Sequence, residues 1–252
     1  MTSVAVLLAL LFPQAGSALA ASDVEDHYHS LETLNSDITR RGASPADYKQ
    51  LRSLRDFFVA QGDPGAVLLV AKLQQMNEGE LRFLGGREEF SERVTDYVVK
   101  YHNTILKYDV CMILADMFEG LSPQMQRSVL ETISASFTPS TYGREDMQFL
   151  WVALERIGPN AVPYIIRLAN HRSEQVRCRA SSVLWDIAKA CASGQPGQPE
   201  TKLPPKLNCE VSTDQREAAI RTWERWWREE GKEYPFPKEP SLFDVVDSSG
   251  TE

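Results

Sequence analysis

The stretch Gly158-Pro-Asn-Ala-Val-Pro-Tyr-Ile-Ile-Arg-Leu168 decides the fold, together with the segment that follows it, which runs through a polar turn into Val176 and Arg177. Apolar residues in both segments recur at spacings of three and four, which is the period of one face of an α-helix. Two helices joined by so short a turn pack antiparallel. The stretch therefore predicts a helical hairpin, with helices at about 160–170 and 173–191.

The same helical period extends over most of the 252 residues. Ser44-Pro45, Asp63-Pro64 and Ser122-Pro123 are helix start signals, because a capping side chain followed by proline suits the first turn. Gly62 is expected to close the helix before Asp63, and Gly79 and the Gly85-Gly86 pair are expected in loops. No segment has the alternation of a strand. The sequence predicts an all-α chain of eight to ten helices, with a proline-rich and glycine-rich loop at about 192–212.

One part of the hairpin also occurs 95 residues earlier, as Asp63-Pro-Gly-Ala-Val-Leu-Leu-Val-Ala-Lys-Leu73. Proline, alanine, valine, a cation and leucine recur at matching places. At the same offset, Leu81-Arg82 falls on Val176-Arg177. A separation of this size corresponds to about two helical-hairpin units. The pattern predicts an internal repeat of helical hairpins.

Residues 153–187 resemble a HEAT-type repeat, in which "G-x-x-A-V-P-x-L" marks the first helix and "V-R-x-x-A-x-x-x-L-x-x-I" the second. The residues that match the second pattern are Val176, Arg177, Ala180, Leu184 and Ile187. The resemblance implies an irregular HEAT-like α-α superhelix of two to four stacked antiparallel hairpins. It also implies a structural role for Arg177, because the arginine at this place in the family pairs with turn acceptors in the neighbouring repeat.

A tryptophan-rich segment follows the hairpin, with Ile220, Trp223, Trp226 and Trp227 on one helix face. The run Ala-Ile-x-x-Trp-x-x-Trp-Trp resembles endings found after HEAT-like repeats in secreted or periplasmic bacterial proteins of unknown function. One interpretation is an aromatic platform for a ligand. The other is a capping helix whose tryptophans cover the core of the last repeat, as a terminal repeat requires.

The N-terminus predicts export. Val4 to Phe12 is an apolar run too short to span a bilayer, and Ala18-Leu19-Ala20 supplies the small residues of a signal-peptidase site. The alternative is an apolar helix that stays in the protein, since the first basic residue is Arg40. We expect a signal peptide over 1–20, a helical region over 21–145, a HEAT-like repeat with its capping helix over 146–232, and an extended tail over 233–252.

The four cysteines are Cys111, Cys178, Cys191 and Cys209. They contain no Cys-x-x-Cys pair, so a structural zinc site is not indicated. In an oxidising compartment, a Cys191–Cys209 disulfide would close the proline-rich loop between two helices. Cys111 and Cys178 lie in apolar helix stretches and are interpreted as buried thiols.

The net charge and the absence of common sequence motifs argue against several classes of function. The net charge of −8 argues against a nucleic-acid partner, because phosphate binding needs clustered cations. Common catalytic and nucleotide-binding motifs do not occur. His27 and His29 would not converge on a metal from helix positions i and i+2. Residues 153–191 carry six basic and three acidic side chains, so Arg172, Arg177 and Arg179 form a candidate partner surface, or else a solvated helix face.

From these observations we expect an exported helical-repeat scaffold that binds a protein or peptide partner, without catalysis, metal or cofactor. The chain is not expected to span a membrane. The alternatives are an enzyme or lyase-like accessory subunit with a site outside the known motifs, and a purely structural envelope protein.

Overall fold

The computed structural model describes residues 17–84, 94–136, 146–171, 173–193, 203–208 and 210–231. Within these ranges, the regular structure is helical and contains no strand, which confirms the all-α fold class. The chain divides into two compact units. Described residues up to 136 belong to the first unit, and those from 146 to 231 belong to the second. Most of the predicted signal peptide and the predicted tail over 233–252 lie outside the described residues.

The described residues of the first unit contain five α-helices, and a short 3-10 turn at Phe118–Gly120 connects the last two. They are α1 (Ser17–Arg41), α2 (Pro45–Gln61), α3 (Asp63–Leu84), α4 (Val94–Met117) and α5 (Pro123–Ala135). Helix α3 is in contact with each of the other four. Its residues 65–70 are therefore buried without interruption, as expected of a helix surrounded by protein.

Two predicted start signals of this unit are confirmed by capping hydrogen bonds, and α3 begins at Asp63 as predicted, although the Asp63 side chain accepts from the backbone N–H of Ser122. Ser44 caps α2 in a capping box with Asp47, and Pro45 occupies the first helical turn. Ser122 caps α5 by accepting a bond from the backbone N–H of Met125. Gly62 closes α2 with a φ of 61°, a conformation that favours glycine. These boundaries follow from local chemistry, which explains why the sequence identifies them.

In the second unit, the part of the chain that the structure describes contains four α-helices and a 3-10 turn at Gly158–Ala161. The helices are α6 (Asp146–Ile157), α7 (Val162–Leu168), α8 (Glu174–Ser193) and α9 (Thr213–Glu229). Helices α7 and α8 pack together across a short turn, as the opening stretch predicts. Gly158 has a φ of 70°, which separates α6 from the turn that leads into α7.

The two copies of the internal repeat share a buried face only at their start. The buried residues at matching positions are Ala66, Val67, Val70 and Leu73 in α3, and Ala161, Val162, Ile165 and Leu168 in the second copy. Beyond this point α3 continues to Leu84, whereas α7 ends at Leu168. Leu81-Arg82 therefore lies in the first helix of its copy, while Val176-Arg177 begins a second helix. The predicted correspondence between these two pairs is wrong.

The loop expected at Gly79 is also wrong, because helix α3 continues through this residue. A glycine inside a helix costs only about 1 kcal/mol relative to alanine. Continuous packing of α3 against its neighbours offsets a penalty of this size. The described part of the chain is thus all-α. A stacked HEAT-like arrangement of its helices stays a prediction.

Candidate functional site

An aromatic surface in the second unit is formed by Trp185 of α8 with Trp223, Trp226 and Trp227 of α9. The ring centroids of Trp185 and Trp223 are 6.4 Å apart at an interplanar angle of 71°. Those of Trp223 and Trp226 are 5.5 Å apart at 75°. Edge-to-face contacts of this kind add to the stability that apolar burial provides. Trp223 and Trp226 are buried, whereas Trp185 and Trp227 are partly exposed.

Residues 203–208, called the strap from here on, lie against this surface. The indole Nε1–H of Trp223 donates a hydrogen bond of 3.0 Å to the backbone carbonyl of Pro205. Pro204 and Leu207 are buried, whereas Pro205 and Lys206 are exposed. The strap therefore contacts the unit through two side chains three residues apart and through one backbone carbonyl. The sequence predicts a loop in this region but not the surface on which these residues lie.

Contacts that follow the strap orient the start of α9. Asn208 accepts a bond of 3.0 Å from the backbone N–H of Glu210, and Ser212 caps α9. Arg216 donates a bond of 3.1 Å from Nε to the side-chain oxygen of Asn170, in the turn between α7 and α8. These contacts hold the start of α9 close to the α7–α8 turn and so position Trp223.

Gly231 completes the aromatic surface at the end of α9. A Cβ atom at this position would lie 2.6 Å from the ring of Trp227 and 2.7 Å from the ring of Trp226. Such distances are too short for any side chain, so the two rings pack directly on the glycine backbone. The close approach identifies Gly231 as a packing requirement of the surface.

A cation lies near the partly exposed edge of the aromatic surface. The Nζ atom of Lys189 is 5.9 Å from the centroid of the Trp185 ring, at the outer limit of a cation–π contact. Both residues are on α8, four positions apart, so helix geometry places them on the same face. This edge therefore combines an aromatic ring with a positive charge.

The three arginines of the candidate partner surface have different environments. Arg177 donates a hydrogen bond of 3.0 Å from Nη1 to the backbone carbonyl of His171, and its side chain is only 13% exposed. Arg179 is exposed, and Arg172 lies outside the described residues. Two residues apart on α8, Arg177 and Arg179 point to opposite sides of the helix. The structure does not bring these two side chains together, and an arginine-based partner surface stays a prediction.

The bonding of the cysteines differs from the prediction. Cys111 is a free thiol in the core, and burial raises its pKa to about 12. Cys178 is disulfide-bonded, so the interpretation of this residue as a buried thiol is wrong. Its apolar helical context does not distinguish a thiol from half of a disulfide, because pairing depends on which segment lies nearby in space. The predicted Cys191–Cys209 pair lies outside the described side chains.

The first unit contains a buried polar pair that was not predicted from the sequence. Asp109 of α4 is 4% exposed and accepts a bond of 2.9 Å from the side-chain amide of Asn35 on α1. Burial raises the pKa of Asp109 to about 7, although the bond from Asn35 opposes this shift. The signal in the sequence is an acid in the middle of an apolar helix stretch. In this conformation the carboxyl group is closed off from solution.

The remaining histidines and acids give no convergent metal site in the part of the chain that the structure describes, where no group of three or more suitable ligands occurs. His27 stacks on Phe57 with the ring centroids 3.5 Å apart, and its Nδ1 is 2.8 Å from the backbone oxygen of Asp23. His29 is exposed and faces Glu32. Among the described helices, none is sufficiently long and apolar to span a bilayer.

Comparisons of the chain with protein-family models, curated protein sequences and solved structures give no match.

Proposed function

We propose that the protein is an exported α-helical scaffold that binds an extended segment of a protein partner and has no catalytic activity of its own. The observation that carries this proposal is the docking of the strap on the aromatic surface. The second unit uses its helices to hold a non-helical, proline-containing segment of its own chain. A surface that holds one such segment has the chemistry to hold another.

The contacts of the strap are those of peptide recognition. Two consecutive prolines favour polyproline II geometry, in which side chains three residues apart point to the same side. Pro204 and Leu207 have this spacing, and both are buried. The Trp223 indole donates to a backbone carbonyl, an interaction that does not depend on the side chain of the bound residue. Aromatic grooves that bind proline-rich segments work by the same combination.

Two observations support export. The N-terminus carries an apolar run followed by Ala18-Leu19-Ala20, which is typical of a cleaved signal peptide. The disulfide at Cys178 also suits an oxidising compartment, because thiols are kept reduced in the cytosol. The proposed location is the periplasm or the extracellular medium.

The proposed architecture is a HEAT-like stack of helical hairpins. The pairing of α7 with α8 supports it. Arg177 also has a structural contact, but its acceptor is the carbonyl of His171 in the turn of its own hairpin, whereas the arginine of HEAT-type repeats bonds to a neighbouring repeat. Stacked hairpins form extended surfaces, which suit partners with an extended chain.

The test is affinity capture of partners from the extracytoplasmic fraction of the producing cell, with the full chain as bait and identification by mass spectrometry. Trp185→Ala removes the partly exposed ring of the aromatic surface. The matched control is Tyr48→Ala, which removes an exposed aromatic side chain from α2 in the other unit. Circular dichroism checks that both variants are folded.

We expect the wild type and Tyr48→Ala to recover the same partner reproducibly. Trp185→Ala should recover about tenfold less, because buried aromatic residues contribute disproportionately to binding energy. The proposal is wrong if no partner is recovered reproducibly, or if recovery does not depend on Trp185.

A further inference from the structure

We infer that the strap masks the binding site of the second unit, and that the cognate ligand is an extended peptide with a proline and an apolar residue three positions later. This inference rests on the proposed function and adds the ligand chemistry and its regulation. In this scheme the strap and the partner segment compete for the aromatic surface.

The ligand chemistry follows from the strap itself. Its buried anchors are Pro204 and Leu207, and Leu207 is only 6% exposed. Its backbone contributes the carbonyl of Pro205, which accepts the bond from Trp223. The exposed positions, Pro205 and Lys206, leave the side chain at these places free to vary. A competing peptide therefore needs the pattern proline-x-x-apolar in extended form.

The surface beneath the strap also favours a neutral, apolar ligand. Trp185 and Trp223 offer ring faces and edges, and the indole N–H of Trp223 is the donor already in use. The nearby cation, Lys189, lies at the rim beside Trp185. This combination matches proline, which has an apolar ring, a backbone carbonyl that can accept the bond, and no N–H of its own.

The described contacts of the strap are few enough to be exchanged. Pro204 and Leu207 are buried, and one hydrogen bond joins the Pro205 carbonyl to Trp223. When a site is open for only a fraction of the time, the apparent Kd for an external ligand rises by the inverse of that fraction. A strap that is docked about nine-tenths of the time therefore weakens external binding about tenfold.

The test measures binding of a fluorescein-labelled peptide with the strap sequence, Leu-Pro-Pro-Lys-Leu-Asn, to the full chain by fluorescence anisotropy. Leu207→Asp removes an apolar anchor and releases the strap while leaving the aromatic surface intact. Asn208→Asp is the matched control, since it introduces the same charge at the neighbouring exposed position and keeps an acceptor for the backbone N–H of Glu210.

We expect Leu207→Asp to bind the peptide at least about tenfold more tightly than the wild type or Asn208→Asp does. In the Leu207→Asp background, Trp223→Phe should weaken binding between about twofold and tenfold, because it removes one hydrogen-bond donor. A peptide in which both prolines are alanine should also bind less tightly.

The inference is overturned if the peptide binds the wild type and Leu207→Asp with the same Kd, or binds neither. It is also overturned if the alanine peptide binds as tightly as the proline peptide. These outcomes leave the proposed function to the capture experiment, which uses the wild-type bait and the Trp185→Ala variant. A scaffold that recovers its partner through Trp185 but ignores the strap peptide would keep its function and lose this inference.

Discussion

The side-chain amide of Asn35 donates a hydrogen bond of 2.9 Å to the carboxyl of Asp109, and this buried contact joins α1 to α4. The side-chain oxygen of Asn35, Oδ1, is buried and accepts no hydrogen bond from the described residues. A carboxyl group whose pKa is raised to about 7 stands beside this acceptor. Burial of Asp109 favours the neutral acid, whereas the hydrogen bond from Asn35 favours the carboxylate, and burial has the larger effect.

The first prediction is that stability of the first unit falls as pH rises from about 4 to 7. The folded protein holds the proton of Asp109 up to about pH 7, whereas the unfolded chain releases it near pH 4. The stabilisation is therefore complete below pH 4 and is lost as pH rises through 7. A difference of about three pKa units corresponds to a loss on the order of 4 kcal/mol.

Asp109→Asn should remove this dependence and make the first unit more stable than the wild type at pH 8. An asparagine amide can accept from Asn35 Nδ2 and donate to Asn35 Oδ1 without carrying charge. Urea unfolding followed by circular dichroism at pH 5 and pH 8 measures the effect. All five tryptophans belong to the second unit, so their fluorescence serves as an internal reference.

The control for this experiment is Asp26→Asn, which neutralises an exposed acid on α1. It should leave the pH dependence unchanged. Equal stability of Asp109→Asn and the wild type at pH 8 would contradict the assignment of Asp109 as the group responsible.

The second prediction concerns the packing of Gly231 on the tryptophan rings. Gly231→Ala places a Cβ atom within 3 Å of Trp226 and Trp227, so the rings or the end of α9 must move. Overpacking of this kind costs about 1 to 3 kcal/mol. Tryptophan fluorescence during urea unfolding should show a lower midpoint.

Gly120→Ala is the comparison for this change, because a Cβ at Gly120 has no atom within 4 Å. It should leave the unfolding of the second unit unchanged. A midpoint for Gly231→Ala that equals the wild-type value would show that the rings accommodate a methyl group without strain.

The third prediction separates a structural arginine from a surface arginine. Arg177→Ala removes the bond to the carbonyl of His171 in the α7–α8 turn, so it should destabilise the second unit by about 1 kcal/mol or more. Arg179→Ala changes an exposed side chain on the same helix and should change the free energy of unfolding by no more than about 0.5 kcal/mol. Thermal unfolding monitored by tryptophan fluorescence compares the two. Equal losses would contradict the distinction drawn from their environments.

The fourth prediction concerns the thiol chemistry. Peptide mapping without reduction should recover Cys178 in a cross-linked peptide and Cys111 as a free thiol that resists alkylation until the protein unfolds. Burial and the raised pKa of Cys111 both suppress formation of the reactive thiolate. Alkylation of Cys178 in the native, unreduced protein would contradict the assignment.

The same map tests the predicted Cys191–Cys209 disulfide. Cys178 and Cys191 are 13 residues apart on α8, a separation of about 20 Å along the helix axis, so they cannot bond to each other. A peptide that links Cys191 to Cys209 would confirm the predicted pair and contradict the bonding of Cys178 within this chain. A peptide that links Cys178 to Cys209 would show that the predicted Cys191–Cys209 pair is wrong.

Local sequence signals determined much of the helical framework. Ser44 with Pro45, and Ser122 with Pro123, mark helix starts because capping involves residues only three positions apart. The face of α9 that carries Trp223 and Trp226 follows from helical periodicity alone. The loop predicted at Gly79 is wrong, because a glycine inside a helix costs little free energy and long-range packing outweighs this cost.

Contacts distant in sequence were decided only by the tertiary structure. The Asn35–Asp109 pair joins residues 74 positions apart, and the bond from Trp223 to Pro205 connects a helix to a loop 18 positions away. A single sequence specifies which face of each element is apolar, but not which element will cover that face. The sequence by itself therefore determined the helices and their buried faces. The strap on the aromatic surface, the raised pKa of Asp109 and the bonding of Cys178 depended on which segments folding brought together.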